Sequence, residues 1–141
     1  MDYVKMTAPC GLACFDCVAY RANESEELRA RVTEHFGIPR EQAACPGCRE
    51  VKGRCPMSPG FCTIFPCAEE RGVTFCYECA DFPCDALHPH ADQADRTSVN
   101  TQMFNLCLIK KLGLERWAKE KAAAVKAEYF SGKVRLKRAG E

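Results

Sequence analysis

Twelve cysteines in 141 residues are the side chains of this chain best equipped for chemistry, and their spacing sorts them into clusters. Cys45-Pro-Gly-Cys48 has the form of a thiolate knuckle. Two residues between the sulfurs let both converge on one ion, and the glycine lets the backbone turn beneath it. Cys76-Tyr-Glu-Cys79 repeats that spacing downstream, and Cys55, Cys62, Cys67 and Cys84 surround the two pairs. One C-x-x-C alone is shared with redox dithiols, whereas two pairs with extra thiols between and after them point to metal. A thioredoxin-type dithiol would need a strand–turn–helix setting in an α/β fold, which the sequence does not offer.

Zinc is the expected metal, because it closes structural sites with four thiolates, or with thiolates and histidine, in a tetrahedron. Cys10, Cys14 and Cys17 add a third cluster, so the supply of thiolates suits two or three ions. One arrangement joins Cys45 and Cys48 to Cys62 and Cys67. Another joins Cys76, Cys79 and Cys84 to a thiol of the first cluster. The pairing stays open, and Cys55 is able to replace a partner. The alternative metal is iron, since thiolates serve it equally well. The C-x3-C-x2-C spacing of Cys10, Cys14 and Cys17 is that of radical S-adenosylmethionine enzymes, but their partial barrel needs a βα alternation that this chain lacks. The ferredoxin run C-x2-C-x2-C-x3-C-P is absent too.

So dense a cysteine content fits either a secreted disulfide scaffold or an intracellular metal protein. The opening Met1-Asp2-Tyr3-Val4-Lys5-Met6-Thr7 has no basic segment leading into an apolar one, so no signal peptide is read. No apolar run reaches the roughly 18 residues that span a bilayer. The expectation is a cytoplasmic protein with no membrane partner and with thiols used as ligands. Net charge is +1, yet residues 110–141 hold ten basic and four acidic residues, against ten and fifteen in the rest. That basic end is a candidate contact for nucleic acid or a protein, although a solvated helix face explains it as well.

The elements that must position these sulfurs are mainly helical, with a small α+β arrangement as the variant. A helix is expected over about 18–36, carrying Leu28, Val32, His35 and Phe36 at helical spacing, with Asn23 or Ser25 capping its second half and Gly37 ending it. Residues 45–84 hold eight cysteines among prolines and glycines. They are too poor in apolar surface to fold without cross-links. Short strands at 61–65 and 73–76 would make at most one hairpin, and Pro66–Arg71 a helical turn closed by Gly72. Two helices follow within 95–130. The first places Val99, Met103, Leu106 and Cys107 on one stripe, with Phe104, Leu108 and Leu112 beside it. The second runs from 114 to 129 on Leu114, Trp117, Ala118 and Val125. Cys107 reads as a buried packing residue, His88-Pro-His90 as a solvated turn, and Asp16 as either a second-sphere partner or a surface carboxylate. The chain thus divides into one domain, 1–130, with cysteine clusters over 8–90 and a helical pair over 95–130, and a flexible basic tail, 131–141.

The ordered series Cys10-Gly-Leu-x-Cys14-x-x-Cys17-x-x-Tyr20, Cys45-x-Gly-Cys48, Cys62-Thr-Ile-Phe-Pro-Cys67-Ala and Gly72-Val-x-x-Cys76-x-x-Cys79-x-Asp-Phe-Pro-Cys84 resembles a bacterial and archaeal family catalogued as domain of unknown function 3795. Asn105-Leu-x-x-Ile-Lys-x-x-Gly113-x-x-x-Trp117 resembles its helical end, so the likeness spans about residues 8–118. The resemblance implies a cysteine-rich, zinc-binding domain and no established activity. Several members continue after the tryptophan with a further cysteine pair that is not found here, and Cys55 stands outside the family pattern.

The sequence holds no nucleophile–base–orienter set, so a binding function on structural zinc is expected rather than catalysis. The rival is an iron–sulfur or thiol-based redox protein or enzyme using Cys10, Cys14 and Cys17, whose three ligands leave a fourth position open.

Overall fold

The structure, a computed structural model, describes residues 1–57, 62–132 and 140. It is mainly helical, and among the described residues the only β pairing is a single bridge between Thr7 and Ala13. Among the described residues six α-helices run in chain order: α1 Val18–Arg21, α2 Glu26–Phe36, α3 Ile64–Glu70, α4 Gln102–Leu112, α5 Leu114–Glu120 and α6 Ala122–Phe130. Short 3-10 turns, including Cys14–Asp16 and Cys76–Glu78, carry the cysteine loops between them.

The helix expected over 18–36 is two helices, because Asn23 and Ser25 spend their side chains on the backbone. The Asn23 amide donates to the carbonyls of Tyr20 at 2.7 Å and Cys45 at 2.8 Å. Ser25 accepts the Leu28 N–H at 3.3 Å and starts α2. Gly37, with φ of 64°, ends it in the left-handed region. The predicted helical turn at 66–71 is part of α3, which begins at Ile64 and so displaces the strand expected there. Phe61 lies outside the described residues. Val73–Cys76 forms no strand either: the N–H groups of Thr74 and Phe75 bond the Glu78 carboxylate, at 2.8 and 3.3 Å, instead of a partner strand.

α4 buries Gln102, Asn105, Leu106 and Ile109. This face is rotated from the predicted stripe, which leaves Phe104 58% exposed and turns Cys107 to the surface instead of into the core. The rotation follows from polar groups put to use inside. Asn105 Oδ1 accepts the Trp117 Nε1–H at 3.2 Å, and Asn105 Nδ2 reaches Thr101 Oγ1 at 3.4 Å. The second helix of the pair bends at Lys121 into α5 and α6, with Trp117, Ala118 and Ala122 buried against Ile109. Of the tail expected at 131–141, residues 133–139 and 141 lie outside the described residues.

Among the described residues, most of the buried apolar side chains gather in three small clusters. Val32 and Ala43 gather with Ala19, Ala22 and Cys45, while Trp117 anchors the α4–α6 group. Between them, Leu106 meets Ala8, Cys10, Phe75 and Leu87. Gly11 makes that junction possible: its φ is +90°, and a Cβ there would lie 3.0 Å from Leu106 Cγ and 3.1 Å from the Gln102 carbonyl. The first cysteine loop therefore lies directly on α4.

Candidate metal centre

Three local devices aim the sulfurs. In the first loop and the first knuckle, backbone N–H groups two residues on point back at the thiols, Leu12 at Cys10 and Gly47 at Cys45. The backbone N–H groups of Cys48 and Ala8 do the same for Cys14. Such donors favour a thiolate over a thiol. The second device is Gly53, whose φ of +78° lets the chain pass where a Cβ would meet Phe65 Cβ at 2.7 Å, bringing the loop after Cys48 against α3. Finally, Lys126 of α6 donates to the Asp16 carbonyl at 2.5 Å and stands 3.6 Å from its carboxylate. Asp16, left open by the sequence, thus ties the C-terminal helix to the turn between Cys14 and Cys17.

No disulfide joins the cysteines among the described residues, and eleven of the twelve fall into two neighbourhoods whose members feel one another's charge. In the inner one, Cys45 is hydrogen-bonded by the Cys55 side chain and faces Cys17 and Cys14. Cys48 faces Cys14, Cys62 and Cys55, and Cys10 faces Cys48 and Cys62. In the outer one, Cys76 faces Cys84, Cys67 and Cys79, with Cys62 next. Every cysteine expected as a ligand is in one of these two groups: Cys48 faces Cys62, as in one arrangement drawn on spacing, while Cys45 also faces Cys14 and Cys55, and Cys76 faces Cys67. Cys107 stands apart on α4. His88 and His90 are exposed, as a solvated turn requires. Among the described residues, no three potential ligands are already drawn around one point as a bound ion would hold them.

Two arginines that spacing could not reveal stand at the two groups. Arg49, beside Cys48, donates to the carbonyls of Val4 and Thr7, both at 2.8 Å, and of Thr74 at 2.7 Å. Its guanidinium lies 5.2 Å from the centre of the Phe75 ring. Burial lowers its pKa, and the thiols of Cys48, Cys14 and Cys10 act the other way. Arg71, just after α3, donates to Cys79 Sγ at 3.2 Å and to the Asp81 carboxylate at 2.6 Å. Asp81 and Cys79 both raise its pKa.

Burial pushes the Cys48 thiol up to about 12 and Cys76 up to about 11, and it raises Cys10 as well. Without a cation these sulfurs stay protonated when folded at pH values where the unfolded chain, with thiols near 9.0, ionises. Above that point the unfolded state binds fewer protons than the native one, so stability falls with rising pH. The metal-free protein should therefore show a falling Tm between about pH 9 and pH 11. A Tm that held or rose across this window would contradict the burial of these thiols.

The family whose pattern matches residues 6–89, more than half of the chain, is described as "Protein of unknown function (DUF3795)". The chain belongs to this family. No curated protein and no solved structure shows significant similarity. The region shared with DUF3795 contains both thiol groups and Arg49 and Arg71. Cys107 and the helices α4–α6 lie beyond it. No helix among the described residues is long and apolar enough to cross a membrane.

Proposed function

We propose that this chain is a zinc-binding protein whose thiolate-held ions fasten the fold and stiffen a surface for a protein or nucleic-acid partner. One observation carries the reading: eleven thiols lie within one another's electrostatic reach in two neighbourhoods, and Arg71 donates to Cys79 Sγ in one of them. Zinc would supply the positive charge that lets buried sulfurs exist as thiolates. Cys14, Cys17, Cys45 and Cys55 would hold one ion, and Cys67, Cys76, Cys79 and Cys84 another. Cys10, Cys48 and Cys62 supply a third set of donors. Thiols used as metal ligands suit a reducing compartment such as the cytoplasm. The partner surface is sought on the exposed basic side chains of the C-terminal helices, Lys110, Lys111, Arg116, Lys119 and Lys121.

Elemental analysis and an absorption spectrum of protein purified without oxygen test the reading. Two or three zinc ions per chain and no visible absorbance are expected. Iron with sulfide and a visible band would replace zinc by a redox cluster. A salt-sensitive shift of nucleic acid in a gel would choose between the two partner classes.

A further inference from the structure

We infer, resting on the partner-surface part of the reading above, that the groove between α4 and α6 docks an acidic amphipathic helix of another protein. Apolar residues of that helix sit on Phe104, Leu108, Val125 and Tyr129, and its carboxylates face Lys111 and Lys121. α4 is apolar on two sides. Leu106 and Ile109 are buried with Gln102 and Asn105, yet Phe104 is 58% exposed and Leu108 only half-buried. In α6 Ala122 is buried, whereas Val125 and Tyr129 are half-buried. These four residues are two pairs spaced four apart, so each pair forms a stripe along its helix. Both stripes line one groove of about 600 Å³. A contiguous apolar surface that the fold leaves uncovered marks contact with another molecule. A groove walled by two helices receives a third through apolar anchors three and four residues apart.

Charge and shape decide between occupants. Lys121 lines the groove, and Lys111 continues the Phe104–Leu108 stripe by one turn. The nearby carboxylates of Glu115 and Glu120 are engaged by Lys119 at 2.5 Å and Arg116 at 3.0 Å. Among the described residues no carboxylate pairs with Lys110, Lys111 or Lys121. Glu128 also lines the groove, two turns along α6 from Lys121. The uncompensated lysines call for carboxylates on the occupant. Residues 133–138 of this chain carry four basic side chains and no acidic one, so like charge opposes them there. A second copy meeting the groove with its own would set concave surface on concave surface. A nucleic acid needs cations along its path rather than four apolar side chains and a carboxylate.

The experiment selects from a displayed library of random peptides about fifteen residues long, roughly four helical turns, on the whole chain as purified. Phe104→Glu protein serves for counter-selection. Phe104 is exposed, so this variant and the milder Phe104→Ala should keep the wild-type far-ultraviolet spectrum and metal content. Enriched peptides should carry apolar residues three and four apart, interspersed with Asp and Glu. The most enriched peptide, fluorescently labelled, should lose affinity for Phe104→Ala roughly 30-fold, as when an anchoring aromatic is truncated. Lys111→Glu combined with Lys121→Glu should weaken it too, and added salt should weaken its binding to the wild type. No enrichment, basic peptides, or equal binding to Phe104→Ala would overturn the inference. So would a chain that sediments as a dimer until Phe104 is replaced, or peptide binding seen only after residues 133–141 are deleted. A single-stranded oligonucleotide that binds the wild type but neither Phe104 variant would give the groove to nucleic acid instead. Each of these leaves zinc binding standing, since metal content is measured separately.

Discussion

On the zinc reading, stripping the metal with a strong chelator under reducing conditions is expected to unfold the cysteine-rich two thirds of the chain. Sixteen apolar residues are buried among those described, but seven are alanine and two are cysteine. Burying an alanine removes little apolar surface from water, so the three clusters cannot do what a core of leucines and valines would. Binding at structural thiolate sites contributes on the order of 10 kcal/mol per ion, against a net stability for whole domains of about 5–15 kcal/mol. Loss of even one ion therefore removes most of the margin. Circular dichroism should show lost helix and a melt that broadens or disappears, and zinc added back should restore both. A melt unchanged after verified zinc removal would place the stability in packing alone.

Much of this organisation could be read from the sequence where the chemistry is local. Helix ends were legible because Ser25 and Gly37 act on their own neighbours. The thiol clusters were legible because two-residue spacing places both sulfurs of a knuckle on one side. Sulfur partnership across the chain was not. Cys55 joins Cys45 through the path of an irregular loop, and no periodicity encodes that path. The buried face of α4 differs from the apolar stripe for a related reason. Counting apolar residues favours Phe104 and Cys107, whereas the helix turns inward on Asn105 and Gln102. Asn105 is matched by the Trp117 N–H, and the Gln102 side chain hydrogen-bonds the Cys10 thiol. A polar residue counts as buried only once its partner is known. Arg49 and Arg71 are illegible in the sequence likewise, since a lone arginine in a loop carries no signal until three carbonyls or a sulfur are found around it.

Replacing Trp117 with alanine should cost about 3–5 kcal/mol, the range for removing a fully buried large aromatic. Trp117 is fully buried, with its ring edge-on to Phe15 at 6.0 Å, and Phe15 in turn meets Tyr3 at 5.3 Å. Its Nε1–H is the partner of Asn105 Oδ1. Trp117→Phe separates the two contributions: it keeps most of the apolar volume but strands a buried acceptor, at about 1–3 kcal/mol. Urea titration of the zinc-loaded variants, followed by circular dichroism, should show lowered midpoints with unchanged slopes. The chain has a single tryptophan, so fluorescence reports the wild type alone. A loss under about 1 kcal/mol in Trp117→Ala would mean that the α4–α6 cluster is peripheral to the fold, contrary to its full burial. The expected loss has a second consequence. Phe15 lies between Cys14 and Cys17, and Lys126 holds the same turn through Asp16. The C-terminal helices, though outside the region matched to the family, thus brace the inner thiol group. On the zinc reading, Trp117→Ala should lower the zinc content of the purified protein as well as its urea midpoint.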